Sequence, residues 1–169
     1  MKAKTPQESY TLLTNIVLPS ETNSLNNMFG GELLARMDRV ASIAARRHCN
    51  QVVVTASVNQ VSFDLPIPLD SVVSVSAKVS RAFRTSMEVG LEVWIEDPKK
   101  RTKKKANSAI YTFVAVDENN KPLVVPELIP QTEEEKQAYN AALRRKQLSL
   151  VLAGRLAPKE ATELKALFS

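Results

Sequence analysis

Residues 19–38 read PSETNSLNNMFGGELLARMD, and this stretch decides the fold. A loop rich in Pro, Ser, Thr and Asn leads into an apolar helix, with Gly30 and Gly31 where the helix begins. Asp38 falls inside that helix, where a charged side chain is costly unless it is paired or functional. Open backbone amides at a helix N-terminus stabilise negative charge. The stretch therefore predicts a site for an anionic transition state.

The helix is predicted over residues 30–48, with Asn50 as its stop. Basic residues in its last turn, Arg46 to His48, suit the helix dipole. The apolar residues at helical spacing are Leu33, Leu34, Met37, Val40, Ala41 and Ala44. A helix this apolar has to be enclosed by the rest of the chain.

The enclosing element is predicted to be a curved antiparallel sheet. Strand-like runs, several with period-two alternation, occupy residues 10–18, 51–63, 71–83, 86–96 and 107–116. The last run is apolar on both faces and is predicted to be central or covered on both sides. Residues 97–105 are predicted to be a loop. The fold class is α+β, and the sheet edges are expected to pair in a dimer.

The C-terminal part is predicted to be helical. Thr132 and Glu135 form a capping box that begins one helix, and a short amphipathic piece follows at 158–168. We expect one domain over residues 8–123 and a linker with a helical extension over 124–169. The extension is interpreted as a solvated amphipathic helix, with packing at a subunit interface or beside a ligand as the alternative.

Composition limits the class of protein. The chain has 169 residues, a formal net charge of +5, and one cysteine and one histidine, Cys49 and His48. Cys/His metal clusters are excluded, and neither a metal nor a cofactor is predicted. The absence of an apolar signal core or spanning run predicts a cytoplasmic protein. Positive charge suits anionic partners such as phosphorylated ligands.

Each candidate residue also has a structural interpretation. Asp38 is either a general base or nucleophile, or a boundary aspartate paired with Arg39 or Arg81. Gly30 and Gly31 make either a tight turn or an oxyanion site. His48 is interpreted as a cap favoured by the helix dipole, which argues against a catalytic triad. Loop asparagines usually cap turns, as Asn23, Asn26 and Asn27 would here.

Three motifs resemble the hotdog-fold acyl-CoA thioesterases of the cytosolic acyl-CoA hydrolase type. They are TNSLNNMFGGELLARMD at 22–38, RTSMEVGLEV at 84–93 and NSAIYTFVAVD at 107–117. The resemblance implies a long helix wrapped by a curved sheet, and hydrolysis of acyl-CoA to a fatty acid and CoA. It also implies a homo-oligomer, a trimer of dimers, with CoA as part of the substrate and with no nucleic-acid or membrane partner.

The resemblance also implies roles for single residues. The catalytic asparagine and aspartate correspond to Asn23 and Asp38, contributed by different subunits of a dimer, and Thr55 assists them. The amide of Gly31 polarises the thioester carbonyl. The residues expected to contact CoA are Arg84, Thr85, Ser86 and Asn107. The chain departs from the family pattern at Asn26, which is often glycine, and at Phe29, which is histidine in some relatives.

Two alternatives remain open at the level of sequence. One is a binding module for acyl-CoA or a nucleotide, or for nucleic acid through the basic run 99–105. The other is a hotdog dehydratase, whose chemistry in relatives relies on a histidine paired with an acid. Because His48 is the sole histidine and falls at a helix end, the dehydratase ranks lower.

Overall fold

The computed structural model describes residues 1–97 and 100–168 of the chain. Pro98 and Lys99, the first lysine of the predicted basic run, lie outside the described residues. The strands are β1 (Thr11–Ile16), β2 (Val52–Asn59), β3 (Val72–Ala82), β4 (Ser86–Asp97) and β5 (Thr102–Val116). The helices are α1 (Gly30–Cys49), α2 (Glu133–Leu152) and the short α3 (Thr162–Lys165).

The five strands form one antiparallel sheet in the order β1-β3-β4-β5-β2. The sheet curls around α1, and the core fills the space between them. The α+β class and the wrapped central helix are therefore confirmed. β5 lies inside the sheet between β4 and β2, as its two apolar faces predicted. β1 and β2 are left at the edges.

The predicted helix and its end are confirmed. α1 ends at Asn50, whose φ of 54° lies in the left-handed region that asparagine tolerates. Met37, Val40 and Ala41 have no exposed surface, because the sheet closes over the apolar stripe. Arg36 is also buried, although it lies off that stripe, because its Nε and Nη2 groups donate to a carboxylate partner.

The predicted loop over 97–105 is wrong in its second half, because β5 already begins at Thr102. The lysines there lie on a strand opposite carboxylates of β4. Lys103 pairs with Glu96 at 3.1 Å, and Lys105 with Glu92. Cross-strand ion pairs stabilise a solvent-facing strand end that lacks apolar alternation, so hydrophobic periodicity did not reveal it.

α2 begins as predicted, since the Glu135 amide donates to Thr132 Oγ1 at 3.1 Å. The interpretation of the extension as a solvated helix is wrong. Arg145 of α2 forms an ion pair with the buried carboxylate of Glu88 on β4 at 2.6 Å. α2 therefore docks on the sheet face opposite α1, hereafter the outer face. No helix of the described residues is long and apolar enough to cross a membrane.

Candidate active site

Asp38 lies half-buried near the middle of α1, and its partner is a hydroxyl. Thr55 Oγ1, on the edge strand β2, donates a hydrogen bond to Asp38 Oδ1 at 2.7 Å. Oδ2 accepts no hydrogen bond from the described residues. The alternative of an arginine partner is not supported, because Arg39 is exposed and Arg81 donates to the Tyr139 carbonyl oxygen instead. One carboxylate oxygen is thus fixed and the other is open for chemistry.

Tyr111 of β5 is a neighbour of Asp38 that sequence reasoning missed. Burial, and then the negative charge of Asp38, raise the pKa of Tyr111 to about 12. The tyrosine is therefore neutral at physiological pH, and its hydroxyl donates to the Leu34 carbonyl oxygen at 3.1 Å. The sequence did contain a signal for this role. Tyr111 is an aromatic residue with a hydroxyl inside an apolar strand, and a buried tyrosine hydroxyl needs a hydrogen-bond partner.

The start of α1 presents unused amides. The carbonyl oxygen of Phe29 accepts from the amides of Glu32 and Leu33, and no side chain caps the helix. Among the described residues, neither Gly30 nor Gly31 has an acceptor for its amide. A Cβ at Gly30 would lie 3.1 Å from the Phe63 ring, whereas one at Gly31 would meet nothing within 4 Å. The Gly31 amide is therefore accessible to an anionic oxygen.

The loop before α1 fixes the orientation of Asn23. Its Oδ1 accepts from the amides of Leu25 at 2.9 Å and Asn27 at 3.2 Å. Only an oxygen accepts from a backbone amide, so Nδ2 is the group left free. Asn26 has a φ of 55°, the conformation that glycine adopts easily and asparagine tolerates. The departure from the family pattern at Asn26 is thus compatible with the loop.

A buried ion pair, also missed from sequence, ties this loop to α1. Arg36 donates to both carboxylate oxygens of Glu21, at 2.6 and 3.3 Å, and to the Ile16 carbonyl oxygen. The hydrogen bond from Arg36 lowers the pKa of Glu21 below its ordinary value. Glu21 and Arg36 lie two residues before Asn23 and Asp38, respectively. The pair therefore fixes the loop that carries Asn23 against the helix that carries Asp38.

The residues predicted to contact CoA do not all lie together in one chain. Arg84 is exposed in the β3–β4 turn, followed by Thr85 and by Ser86 at the start of β4. Asn107 pairs with Val93, about 20 Å along the strand from Ser86. Its side chain is buried and donates to the Ser62 carbonyl oxygen.

His48 differs from its predicted role as a charged cap. It has no exposed surface, and its Nε2 hydrogen-bonds the Pro126 carbonyl oxygen at 2.8 Å. Burial lowers the pKa of His48, so the ring is neutral at physiological pH. A neutral side chain enclosed in the core, away from Asp38, is a structural group rather than an acid or base for substrate.

A cavity of about 700 Å³ lies on the outer face, between the sheet and α2. Trp94, Ser76 and Ser108 are among its lining residues, and Asp38, Thr55 and Gly31 are not. The candidate site on the α1 side is instead open along β2, where most residues are exposed. In a single chain this site is thus unenclosed.

A curled antiparallel sheet around an apolar helix is the architecture of a hotdog-fold thioesterase. Residues 25–102 match the model of the thioesterase superfamily. The Bacillus subtilis protein YkhA, described as an uncharacterized acyl-CoA thioester hydrolase, is 40% identical over 82% of this chain and 81% of its own. The chain therefore belongs to the acyl-CoA thioester hydrolase family of this superfamily.

Solved structures agree with this assignment. An apo-hexameric acyl-CoA thioesterase superposes with a TM-score of 0.86 and 37% identity, over 90% of this chain and 98% of its own. An acyl-CoA hydrolase from Staphylococcus aureus, in complex with butyryl coenzyme A, coenzyme A and coenzyme A disulfide, has a TM-score of 0.82 and 35% identity, over 97% and 99%. Further structures of the S. aureus enzyme replace an aspartate, a threonine or an asparagine with alanine.

Proposed function

We propose that this protein hydrolyses fatty acyl-CoA thioesters to a free fatty acid and CoA. The observation that carries the proposal is the hydrogen bond from Thr55 to Asp38 on this fold, which orients one carboxylate oxygen and leaves the other open. Family membership gives the reaction class. CoA enters as part of the substrate, and the proposed chemistry uses no cofactor or metal.

In the proposed reaction, Asp38 either removes a proton from water as the water oxygen attacks the carbonyl carbon, or attacks that carbon itself. The amide of Gly31 stabilises the oxyanion, and Nδ2 of Asn23 donates to the carbonyl oxygen or to the water. The C–S bond then breaks, and the CoA thiolate takes up a proton. With direct attack, water afterwards hydrolyses the acyl-aspartate. Thr55 positions the carboxylate.

Support for this residue set comes from the S. aureus enzyme. Its three alanine variants replace an asparagine, an aspartate and a threonine. The replaced asparagine and aspartate are as far apart along the chain as Asn23 and Asp38, and the replaced aspartate and threonine are as far apart as Asp38 and Thr55. Equal spacing in a homologue with the same fold is what corresponding positions would give. It supports carrying the three residues over to this chain as one unit.

The complete site is proposed to form between two copies of the chain, paired along β2. Asn23 and Asp38 make no hydrogen bond with each other in one chain. The edge strand β2 exposes Val52, Val54 and Val58 by 57%, 44% and 43%, a surface that a second copy would cover. We propose that three such dimers assemble into a hexamer, the state described for the apo thioesterase relative.

The remaining assignments are proposals of the same kind. The turn of Arg84, Thr85 and Ser86 is proposed to contact CoA through the exposed guanidinium and the two hydroxyls. A contact between Asn107 and CoA would require its buried side chain to exchange the hydrogen bond with the Ser62 carbonyl oxygen for one with the ligand. The thioesterase domain is proposed over 8–123, with 124–169 as its extension. A cytoplasmic location agrees with the free thiol of Cys49.

The test is thiol release from a panel of acyl-CoAs of increasing chain length by wild type, Asp38→Asn and Thr55→Val. We expect wild-type turnover, a loss of kcat of about 10²–10⁴-fold in Asp38→Asn, and a smaller loss in Thr55→Val. Thr55→Ser, which keeps the hydroxyl, is the matched control and should retain most of the activity. Sedimentation of each variant would confirm an intact assembly.

Other outcomes separate the alternatives. Wild type without turnover on any chain length would contradict the enzyme and favour a binding module. Turnover that survives in Asp38→Asn would place the site elsewhere. Nucleic-acid binding through the basic run is disfavoured, because Lys103 and Lys105 already pair with carboxylates. A dehydratase is disfavoured because His48 is buried and bonded to backbone.

A further inference from the structure

A cluster of basic and aromatic side chains joins α2 to the outer face beside the β3–β4 turn. The Arg81 guanidinium lies 3.9 Å from the centre of the Tyr139 ring and 5.5 Å from that of Phe83. Lys146 Nζ lies 3.8 Å from the centre of the Phe83 ring. The Phe83 ring therefore has two cations close to it, and aromatic faces favour cations that have lost part of their hydration.

This positive charge has no carboxylate partner. The ion pairs of the described residues include neither Arg81 nor Lys146. Glu88, the cross-strand partner of Arg81, uses its carboxylate oxygens to accept from Arg145 at 2.9 and 2.6 Å. Arg81 Nε is buried and has no hydrogen-bond acceptor among the described residues. The cluster is thus an unneutralised cationic site with a donor that lacks a partner.

Burial, and then the charges of Arg81 and Arg155, lower the pKa of Lys146. Like charges held near each other in a half-buried place are unfavourable, and a bound anion would relieve them. The geometry and the electrostatics therefore indicate the same kind of ligand, one that carries negative charge and several acceptor oxygens.

The cluster is continuous with the turn proposed to contact CoA. Phe83 directly precedes Arg84, and its amide donates to the Ser86 carbonyl oxygen at 2.8 Å, which closes the turn. Arg84 in the turn is exposed. The turn therefore adds a third cation, next in sequence to the ring that Arg81 and Lys146 contact.

We infer that Lys146 of α2 and Arg81 of β3 bind a phosphate group, a phosphomonoester or diphosphate, and that α2 is one wall of the site for the nucleotide end of CoA. This inference rests on the proposed function for the identity of the ligand. Guanidinium and ammonium groups recognise phosphate oxygens through charge-assisted hydrogen bonds. The extension would then determine CoA affinity and leave the chemistry at Asp38 unchanged.

The experiment compares two substrates with the same thioester, butyryl-CoA and butyryl-pantetheine, the second of which lacks every phosphate. For Lys146→Gln we expect KM for butyryl-CoA to rise about five- to tenfold with kcat retained, and kinetics with butyryl-pantetheine to stay unchanged. Lys146→Arg should restore most of the affinity. Lys136→Gln on the same helix makes the same charge change away from the cluster and should behave as wild type.

Other results would contradict phosphate binding by Lys146. Equal losses on both substrates would mean that Lys146 only supports the fold, and no loss on either would mean that it binds no phosphate. If wild type hydrolyses neither of these substrates nor any other acyl-CoA of the chain-length panel, the proposed function fails, and calorimetric titration with adenosine 3′,5′-bisphosphate still tests the site. Binding that is equal in wild type and Lys146→Gln, or absent from wild type, would overturn the inference. Binding lost only in the variant would support the site for a free nucleotide.

Discussion

At the scale of single residues, the neighbour of Asp38 determines whether its carboxylate is available for chemistry. A half-buried carboxylate on an apolar helix needs a partner, and a cation would neutralise it and occupy its oxygens. A threonine hydroxyl instead fixes Oδ1 with a single hydrogen bond and leaves the negative charge in place. The carboxylate therefore remains able to accept a proton or to attack a carbonyl carbon. Buried Tyr111, kept neutral, adds no competing charge nearby.

His48 gives a prediction for stability against pH. Burial lowers its folded-state pKa below the ordinary value of 6.5, so the unfolded state binds more protons at acidic pH. The free energy of unfolding should therefore decrease as pH falls below about 6.5. In His48→Gln, destabilised at every pH by about 1–3 kcal/mol, this decrease should be smaller. Urea unfolding at a series of pH values between 7 and 5 measures both.

Two charged neighbours bear on this measurement. Lys4 and Glu8 act electrostatically on His48 in opposite directions, Lys4 lowering and Glu8 raising its pKa. They are unchanged in the His48→Gln variant, so the difference between the two pH profiles isolates the imidazole. Parallel profiles for wild type and variant would show that His48 is not the group responsible.

At the scale of elements, the beginning of α1 combines open amides with an ordered preceding loop. The helix has no side-chain cap, so its first amides are unused, and Gly31 has open space beside it. The preceding loop is nevertheless rigidly organised, through the Asn23 side chain and the Arg36–Glu21 pair. An ordered loop followed by open amides is a preorganised place for an oxyanion.

The Gly31 amide is tested by comparing Gly31→Pro with Gly31→Ala. Proline is tolerated in the first helical turn but removes the N–H, whereas alanine keeps the N–H and adds only a methyl group. We expect Gly31→Pro to lower kcat about 10²–10³-fold and Gly31→Ala to lower it much less. Thermal melting should give similar midpoints for the two variants. Equal activity in both would exclude the amide from the oxyanion site.

At the scale of the whole molecule, the two edges of the sheet support the proposal that the functional unit contains more than one chain. Both β1 and β2 expose apolar side chains, including Leu12, Ile16, Val54 and Val58. Unpaired strand edges of this kind favour association. Because the Asp38–Thr55 pair lies beside the β2 edge, assembly along that edge would complete and enclose the site.

Val58→Lys tests this dependence on assembly. A lysine on each copy would place like charges at the β2 interface, so we expect a smaller species by sedimentation and a loss of thioesterase activity of at least tenfold. The activity of the variant should also rise with protein concentration. Leu152→Lys, which adds the same charge at a residue 79% exposed at the end of α2, is the control. Full activity in a dissociated variant would contradict a shared site.

The elements that could be predicted from the sequence are those whose signals are local. Hydrophobic periodicity gave α1 and the alternating strands, Asn50 and Thr132 marked a helix end and start, and the spacing of three motifs indicated the family and its candidate residues. These features depend on side chains close together along the chain, which is where sequence patterns carry information.

Contacts between residues distant in sequence became evident only in the folded chain. Lys103 and Lys105 proved to lie on a strand because carboxylates of β4 face them, and Arg36 is buried because Glu21 reaches it from a loop. His48 is neutral and enclosed rather than a charged cap, and α2 docks on the sheet through Glu88. Each of these outcomes depends on a partner distant in sequence, whose charge and burial arise only when the chain has folded.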